Sequence, residues 1–152
     1  LVLAGKLPAK RSARFDNVQH WIDVMELKNV VRPIGWIEEA HKPVLYRMAS
    51  CFAFPSRYEG FGLPVLEAMA CGTPVVAAQA SSLPEIVGDA GFLVNPDDAR
   101  RMGGSILATL IQENVAQENR QKGLEQAKTF SWERTATETL AVYRSVLEQA
   151  AQ

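Results

Sequence analysis

Two carboxylates, Glu59 and Glu67, stand with seven residues between them in the stretch Ser56-Arg57-Tyr58-Glu59-Gly60-Phe61-Gly62-Leu63-Pro64-Val65-Leu66-Glu67. Gly60 and Gly62 let a backbone approach a ligand closely and adopt positive φ. Leu63-Pro64 reads as a helix opening, because proline tolerates the first turn, where its missing N–H has no intrahelical partner. The leading N–H groups and the positive end of the helix dipole then form an anion site suited to a diphosphate. The sequence predicts Glu67 in the first turn of this helix and Glu59 in the loop ahead of it. Carboxylates beside phosphates repel them, so their partners must be other groups. A carboxylate accepts two O–H bonds, which matches the vicinal diol of a ribose or a sugar. A nucleoside diphosphate sugar, with phosphates at its centre and hydroxylated rings on each side, engages all of these parts. Each part has a plainer reading alone: Glu67 complements the helix dipole, and Glu59 is a solvated loop residue. Their conjunction is what points to a site.

The elements that must position these residues follow from the apolar pattern. Cys51-Phe52-Ala53-Phe54 reads as a strand ended by Pro55, since proline cannot donate to a ladder. The helix from Leu63-Pro64 ends at Cys71-Gly72, where glycine suits a left-handed cap. Further strands are predicted at Leu1–Ala4 (a buried strand closed by Gly5), Val30–Ile34, Pro74–Ala77 and Gly91–Val94. Helices are predicted from Asp16 to Leu27, with Val18, Ile22, Met25 and Trp21 inward, and from Pro43 to Ala49. Asn95-Pro96-Asp97-Asp98 signals another helix start, with Asn95 as N-cap and Pro96 at the first position. Two more helices are read from Val115 to Lys128 and Ser131 to Gln149. Strands separated by helices imply parallel pairing with helices on both faces. The expected fold is a single open, Rossmann-like α/β domain over residues 1–152 with a helical C-terminal extension. In such sheets ligands bind beyond the carboxyl ends of the strands, which selects the loops after Ala4, Ile34, Phe54 and Ala77.

Composition narrows the partners. With 16 Lys plus Arg against 17 Asp plus Glu, the net charge of −1 offers no electrostatic footprint for nucleic acid or an anionic membrane. No apolar run reaches the ~18–20 residues that span a bilayer, and no signal-peptide pattern opens the chain. Cys51 and Cys71 match no metal spacing and read as packed, reduced thiols of a cytoplasmic protein. His20 and His41 lack a spaced carboxylate or nucleophile partner, and Ser56 has no triad around it.

The same glutamate-bounded stretch, running on through Ala68-Met69-Ala70-Cys71-Gly72-Thr73-Pro74-Val75-Val76, resembles the retaining glycosyltransferases of the GT-B fold, group 1 or family 4. The resemblance continues through Ser82-Leu83-Pro84-Glu85-Ile86-Val87-Gly88-Asp89-Ala90-Gly91 and Phe130-Ser131-Trp132. It implies that Glu59 bonds the donor sugar as the catalytic carboxylate, and that the backbone of Gly60, Phe61, Gly62 and Leu63 meets sugar and diphosphate. It implies that Glu67 takes the ribose hydroxyls, with the Val65 and Leu66 amides near phosphate or ribose. Ile37 would pack on the base and Glu39 would contact its edge, although Glu38 and Glu39 also read as a solvated loop. The substrate implied is a UDP-, GDP- or ADP-sugar, with no metal and no further cofactor. The acceptor, a glycan, lipid or small molecule, would be held by an N-terminal domain outside this chain, as would any peripheral membrane contact.

The chain also departs from the family pattern. The Gly-Arg-type segment and lysine that neutralise the diphosphate in relatives have no counterpart here, and the chain begins one βα unit later. It is therefore expected to be an N-terminally truncated donor-binding half, inactive when isolated. Lys6, Lys10, Arg11 and Arg14 form a basic cluster that reads as a solvated loop. A non-catalytic nucleotide-binding fragment and a GT-B sugar-nucleotide epimerase or phosphorylase are the alternative readings.

Overall fold

The computed structural model describes residues 1–6 and 17–150. Its chain divides into two compact units, Leu1–Lys42 and Pro43–Gln152. Lys10, Arg11 and Arg14 of the basic cluster lie outside the described residues, as does Asp16; Lys6 is exposed.

In the first unit, β1 (Val2–Ala4) pairs in parallel with β2 (Arg32–Gly35), with Val2 opposite Arg32 and Ala4 opposite Gly35. Parallel neighbours require a crossover, and here it contains α1 (Val18–Val24). Asn17 caps α1 by accepting from the His20 N–H at 3.2 Å. The helix stops earlier than its apolar pattern suggests. Glu26 takes φ 56°, and the Leu27 N–H turns back to the Ile22 carbonyl at 2.8 Å, a Schellman closure without glycine. Ile22 is buried and Val18 half-buried, while Trp21 and Met25 are exposed, so the inward face is narrower than predicted. The expectation of a buried first strand is also corrected: Val2 is 55% exposed. An apolar run is buried only when both faces of its sheet are covered, and here Leu1, Val2 and Ala4 are exposed and Leu3 only half-buried. Past β2 the chain makes a single 3₁₀ turn at Glu39–His41.

The second unit continues from α2 (Lys42–Met48), which spans the boundary, into a three-stranded parallel sheet in the order β3 (Phe52–Phe54), β4 (Val75–Ala78), β5 (Phe92–Val94). All four β4 residues are buried. Alternate side chains of a strand point to opposite faces, so both faces of this central strand are covered. The β3–β4 crossover is α3 (Leu63–Ala70), and the β4–β5 crossover is α4 (Leu83–Val87). Val65, Ala68 and Met69 of α3 meet Val75, Ala77, Ala78, Leu83, Ile86, Val87 and Ala90 in one core. Gly72 caps α3 as expected, at φ 73°: its N–H reaches the Met69 carbonyl at 2.9 Å, and the Thr73 N–H reaches Ala68 at 2.9 Å.

Three helices follow: α5 (Ala99–Ile111), α6 (Glu113–Lys128) and α7 (Trp132–Ala150). The predicted cap of α5 shifts by three residues. Asp98, not Asn95, is the N-cap and accepts from the Arg101 N–H at 2.8 Å. Asn95 instead closes a local turn on the Asp97 N–H at 2.9 Å, the alternative that Asn side chains offer the backbone. α6 packs against α3 and α5, whereas α7 contains no buried residue.

Candidate functional site

The loop between β3 and α3 carries Glu59 and is held by its carbonyls. Ser81 donates its hydroxyl to the Glu59 carbonyl at 2.6 Å. Ser82 donates to the Phe61 carbonyl at 2.6 Å and lies 3.1 Å from the Glu59 carbonyl. Both serines follow β4, so the carboxyl ends of two neighbouring strands supply the parts, as expected for an open parallel sheet. Ser82 occupies the N-cap of α4, yet makes no capping bond; its hydroxyl is directed to the loop instead. Ser81 holds φ 54°, a conformation that costs a non-glycine residue energy unless neighbours impose it. An Arg57–Asp97 ion pair and an edge-on contact of Phe61 with Phe130 (ring centroids 5.8 Å apart) tie the same loop elsewhere. Glu59 is half-buried, Gly60 exposed and Tyr58 almost fully exposed.

Gly62 ends the loop as the N-cap of α3, in the left-handed region at φ 113°. A Cβ there would sit 2.8 Å from Cδ2 of the fully buried Leu83, so both the backbone and the space demand glycine. Its carbonyl accepts the N–H groups of Val65 at 3.0 Å and Leu66 at 3.2 Å. Those two amides are therefore engaged within the helix start, and Val65 is wholly buried. Pro64 has no N–H, which makes Leu63, with Gly62 ahead of it, the leading donor of the helix.

Counting from Leu63 places Glu67 at the fifth helical position rather than in the first turn, which contains no acid. This corrects the expected placement: the helix opens at Leu63 as predicted, and its first turn of about 3.6 residues is complete before Glu67 is reached. Further along α3, Glu67 is within reach of α2, where the Tyr46 hydroxyl donates to Glu67 Oε2 at 2.9 Å. Tyr46 is fixed in turn. Its carbonyl accepts the hydroxyl of buried Thr73 at 2.6 Å, and its ring stands edge-on to Phe52 at 5.3 Å.

In the first unit, Ile37 lies half-buried two residues past Gly35, which takes φ 73° at the end of β2. Glu39 pairs with Lys42 Nζ at 2.7 Å, and Trp36 is exposed. His20 and His41 are both exposed on their helical segments. The cysteines are free and half-buried rather than fully packed. Sequence reasoning missed Tyr46, Ser81 and Arg57. Each acts across more than twenty residues of sequence, and no local spacing signals such a partnership. Among the described residues no helix is long and apolar enough to cross a membrane.

The chain is similar to known proteins in both sequence and fold. A family model described as glycosyl transferases group 1 matches residues 1–129. O-antigen chain mannosyltransferase B of Escherichia coli is 45% identical over 114 residues, which are 75% of this chain and 30% of that protein. Sucrose-phosphate synthase of Thermosynechococcus elongatus superposes with a TM-score of 0.84 at 32% identity, covering 99% of this chain and 39% of the other. HepE of Anabaena, solved in complex with UDP and glucose, superposes with a TM-score of 0.80 at 25% identity, over 95% of this chain and 40% of its own. The chain spans well under half the length of each of these relatives. With the glutamate-bounded β3–α3 connection set in parallel sheets flanked by helices, this chain belongs to the group 1 glycosyltransferases and has their GT-B, Rossmann-like architecture.

Proposed function

We propose that this chain is the donor-binding part of a retaining glycosyltransferase, which moves a sugar from a nucleoside diphosphate sugar to an acceptor hydroxyl. The observation that carries the reading is the β3–α3 connection. There a left-handed glycine presents the start of α3, and a glutamate stands on each side of it, Glu59 held by Ser81 through its backbone carbonyl and Glu67 held by Tyr46 through its carboxylate. The N–H groups of Gly62 and Leu63, together with the helix dipole, would receive the diphosphate and stabilise its charge as it leaves. Gly60 and Phe61 would lie along the sugar and diphosphate, with the Val65 and Leu66 turn behind them. Glu59 would accept hydroxyls of the donor sugar and hold the reacting carbon in place, as catalytic carboxylate. Glu67 would accept the ribose hydroxyls, Ile37 would pack on the base, and Glu39 would face the base edge. The acceptor would be bound by sequence outside this chain. One relative is named a mannosyltransferase and another is solved with UDP and glucose, and the donor of this chain is a UDP-, GDP- or ADP-sugar.

Calorimetric titration with UDP, GDP and ADP tests the donor site. One nucleotide should bind selectively, and Glu67→Ala should weaken it by roughly tenfold or more, as expected when charge-assisted hydrogen bonds are lost. Glu59→Ala in the full-length enzyme should cut turnover at least about a hundredfold, the scale of losing a group that orients and stabilises the reacting centre. Near-normal turnover in that variant would rule out its catalytic role. Product analysis separates transfer from epimerisation or phosphorolysis, since only transfer makes a new glycoside.

A further inference from the structure

We propose that Tyr46 is a positioning residue for recognition of the donor ribose, acting through Glu67. This rests on the reading of Glu67 as the ribose ligand and adds a residue from a different element to that site. A glutamate side chain has three rotatable bonds, and its carboxylate can present either oxygen in many directions. A diol is recognised well only when the acceptor is already oriented before the ligand arrives, because ordering it on binding subtracts from affinity. The phenolic O–H of Tyr46 meets Oε2 of Glu67 at 2.9 Å in a part-buried setting, across 21 residues of sequence.

The support behind that hydroxyl is unusually complete. The Tyr46 ring stands edge-on to Phe52, at an interplanar angle of 87°, and Phe52 stacks on Phe54, so both aromatic supports come from the strand that leads into the loop. The backbone of Tyr46 is tied at the other end of α3, where the hydroxyl of Thr73 donates to its carbonyl at 2.6 Å. Thr73 is 2% exposed and follows the Gly72 cap, so its hydroxyl could not remain buried without an acceptor. The tyrosine therefore bridges the strand before the site and the residue after the helix, with Glu67 between them. A hydroxyl placed only to satisfy itself would need neither anchor. The geometry instead makes the Glu67 carboxylate a fixed acceptor.

The test is calorimetric titration of the full-length protein with UDP and 2′,3′-dideoxy-UDP, with the corresponding guanosine pair in parallel. The quantity read is the ratio of the two affinities, which isolates the ribose hydroxyls. Tyr46→Phe keeps the ring against Phe52, and its melting temperature checks that the fold is kept. It should lower the preference for the ribonucleotide roughly five- to tenfold, the scale of one ordinary net hydrogen bond, while the dideoxy affinity stays within about twofold. Glu67→Ala should abolish the preference, and adding Tyr46→Phe to it should change the ratio no further, the signature of coupled residues. If Glu67→Ala removes the preference and Tyr46→Phe leaves it intact, the positioning role is overturned and the ribose site stands. An equal fall for both nucleotides in Tyr46→Phe would also overturn it, since that is the result of a purely structural residue. A preference that survives Glu67→Ala would overturn the assignment of Glu67, and this inference with it.

Discussion

At the scale of the residue, Cys51 shows how placement alone changes chemistry. Burial pushes its thiol up from an ordinary 9.0 to about 11, and a hydrogen bond from Thr109 offsets this only in part. The Thr109 hydroxyl already donates to the Ser105 carbonyl at 2.9 Å, which limits what it can give a thiolate. At neutral pH the thiol keeps its proton and is a poor nucleophile. An acid whose pKa is raised on folding stabilises the folded state below its unfolded pKa. The unfolded chain releases the proton first, so that contribution is lost as pH rises from about 9 towards about 11. Urea midpoints measured across this window should therefore fall more steeply for the natural chain than for Cys51→Ala. Alkylation of Cys51 in the native state should remain slow until the same alkaline range.

At the scale of the element, glycines of similar sequence appearance divide into two kinds. A Cβ on Gly91 would sit 2.6 Å from Val75 Cγ2 and 2.7 Å from the Val75 carbonyl oxygen, at the entry to β5. The carbonyl belongs to β4 and cannot give way without disturbing the ladder. Gly91→Ala should thus destabilise the fold by about 2–3 kcal/mol, the usual cost of overpacking a core, measurable by denaturant unfolding. Gly60, in the loop between β3 and α3, has nothing within 4 Å of the same added atom. Gly60→Ala should leave stability within about 0.5 kcal/mol, as surface substitutions do. A loss of nucleotide affinity in that variant would therefore report a ligand that approaches the backbone, not a damaged fold.

At the scale of the whole molecule, the buried core cluster of the described residues lies in the second unit, running from Val65 to Ala90 in sequence. α7 contrasts with it. Trp132, Leu140, Tyr143 and Leu147 recur at helical spacing along one side, yet Tyr143 is 63% and Leu147 70% exposed. Stability is unevenly distributed in such a chain, because opening costs least where few apolar groups are buried. Hydrogen exchange should accordingly be slowest at the amides of β4 and the interior of α3, and fastest among the long helices in α7. Protection of α7 equal to that of α3 would show that its apolar side is covered in solution.

The backbone of the β3–α3 connection is legible in the sequence because its signals are local. Glycine permits positive φ, proline opens a helix, and the order Glu59-Gly60-Phe61-Gly62-Leu63-Pro64 needs no distant partner to be read. The alternation of strands and helices and the Gly72 cap were legible for the same reason. Boundaries governed by competition between nearby groups were not. Asp98 displaced Asn95 as the cap of α5, and a left-handed Glu26 ended α1 early. Burial of the first strand was misread because it depends on what covers a face, which one strand's own residues do not specify. What only the tertiary structure decided is which side chains hold the site. Tyr46 reaches Glu67, and Ser81 and Ser82 reach the loop of Glu59, because parallel β3 and β4 bring the loops at their carboxyl ends together while the Tyr46 side chain packs on the core that α3 shares. Hydrogen bonds between groups far apart in the chain carry no periodicity, and they become visible only when the crossovers close.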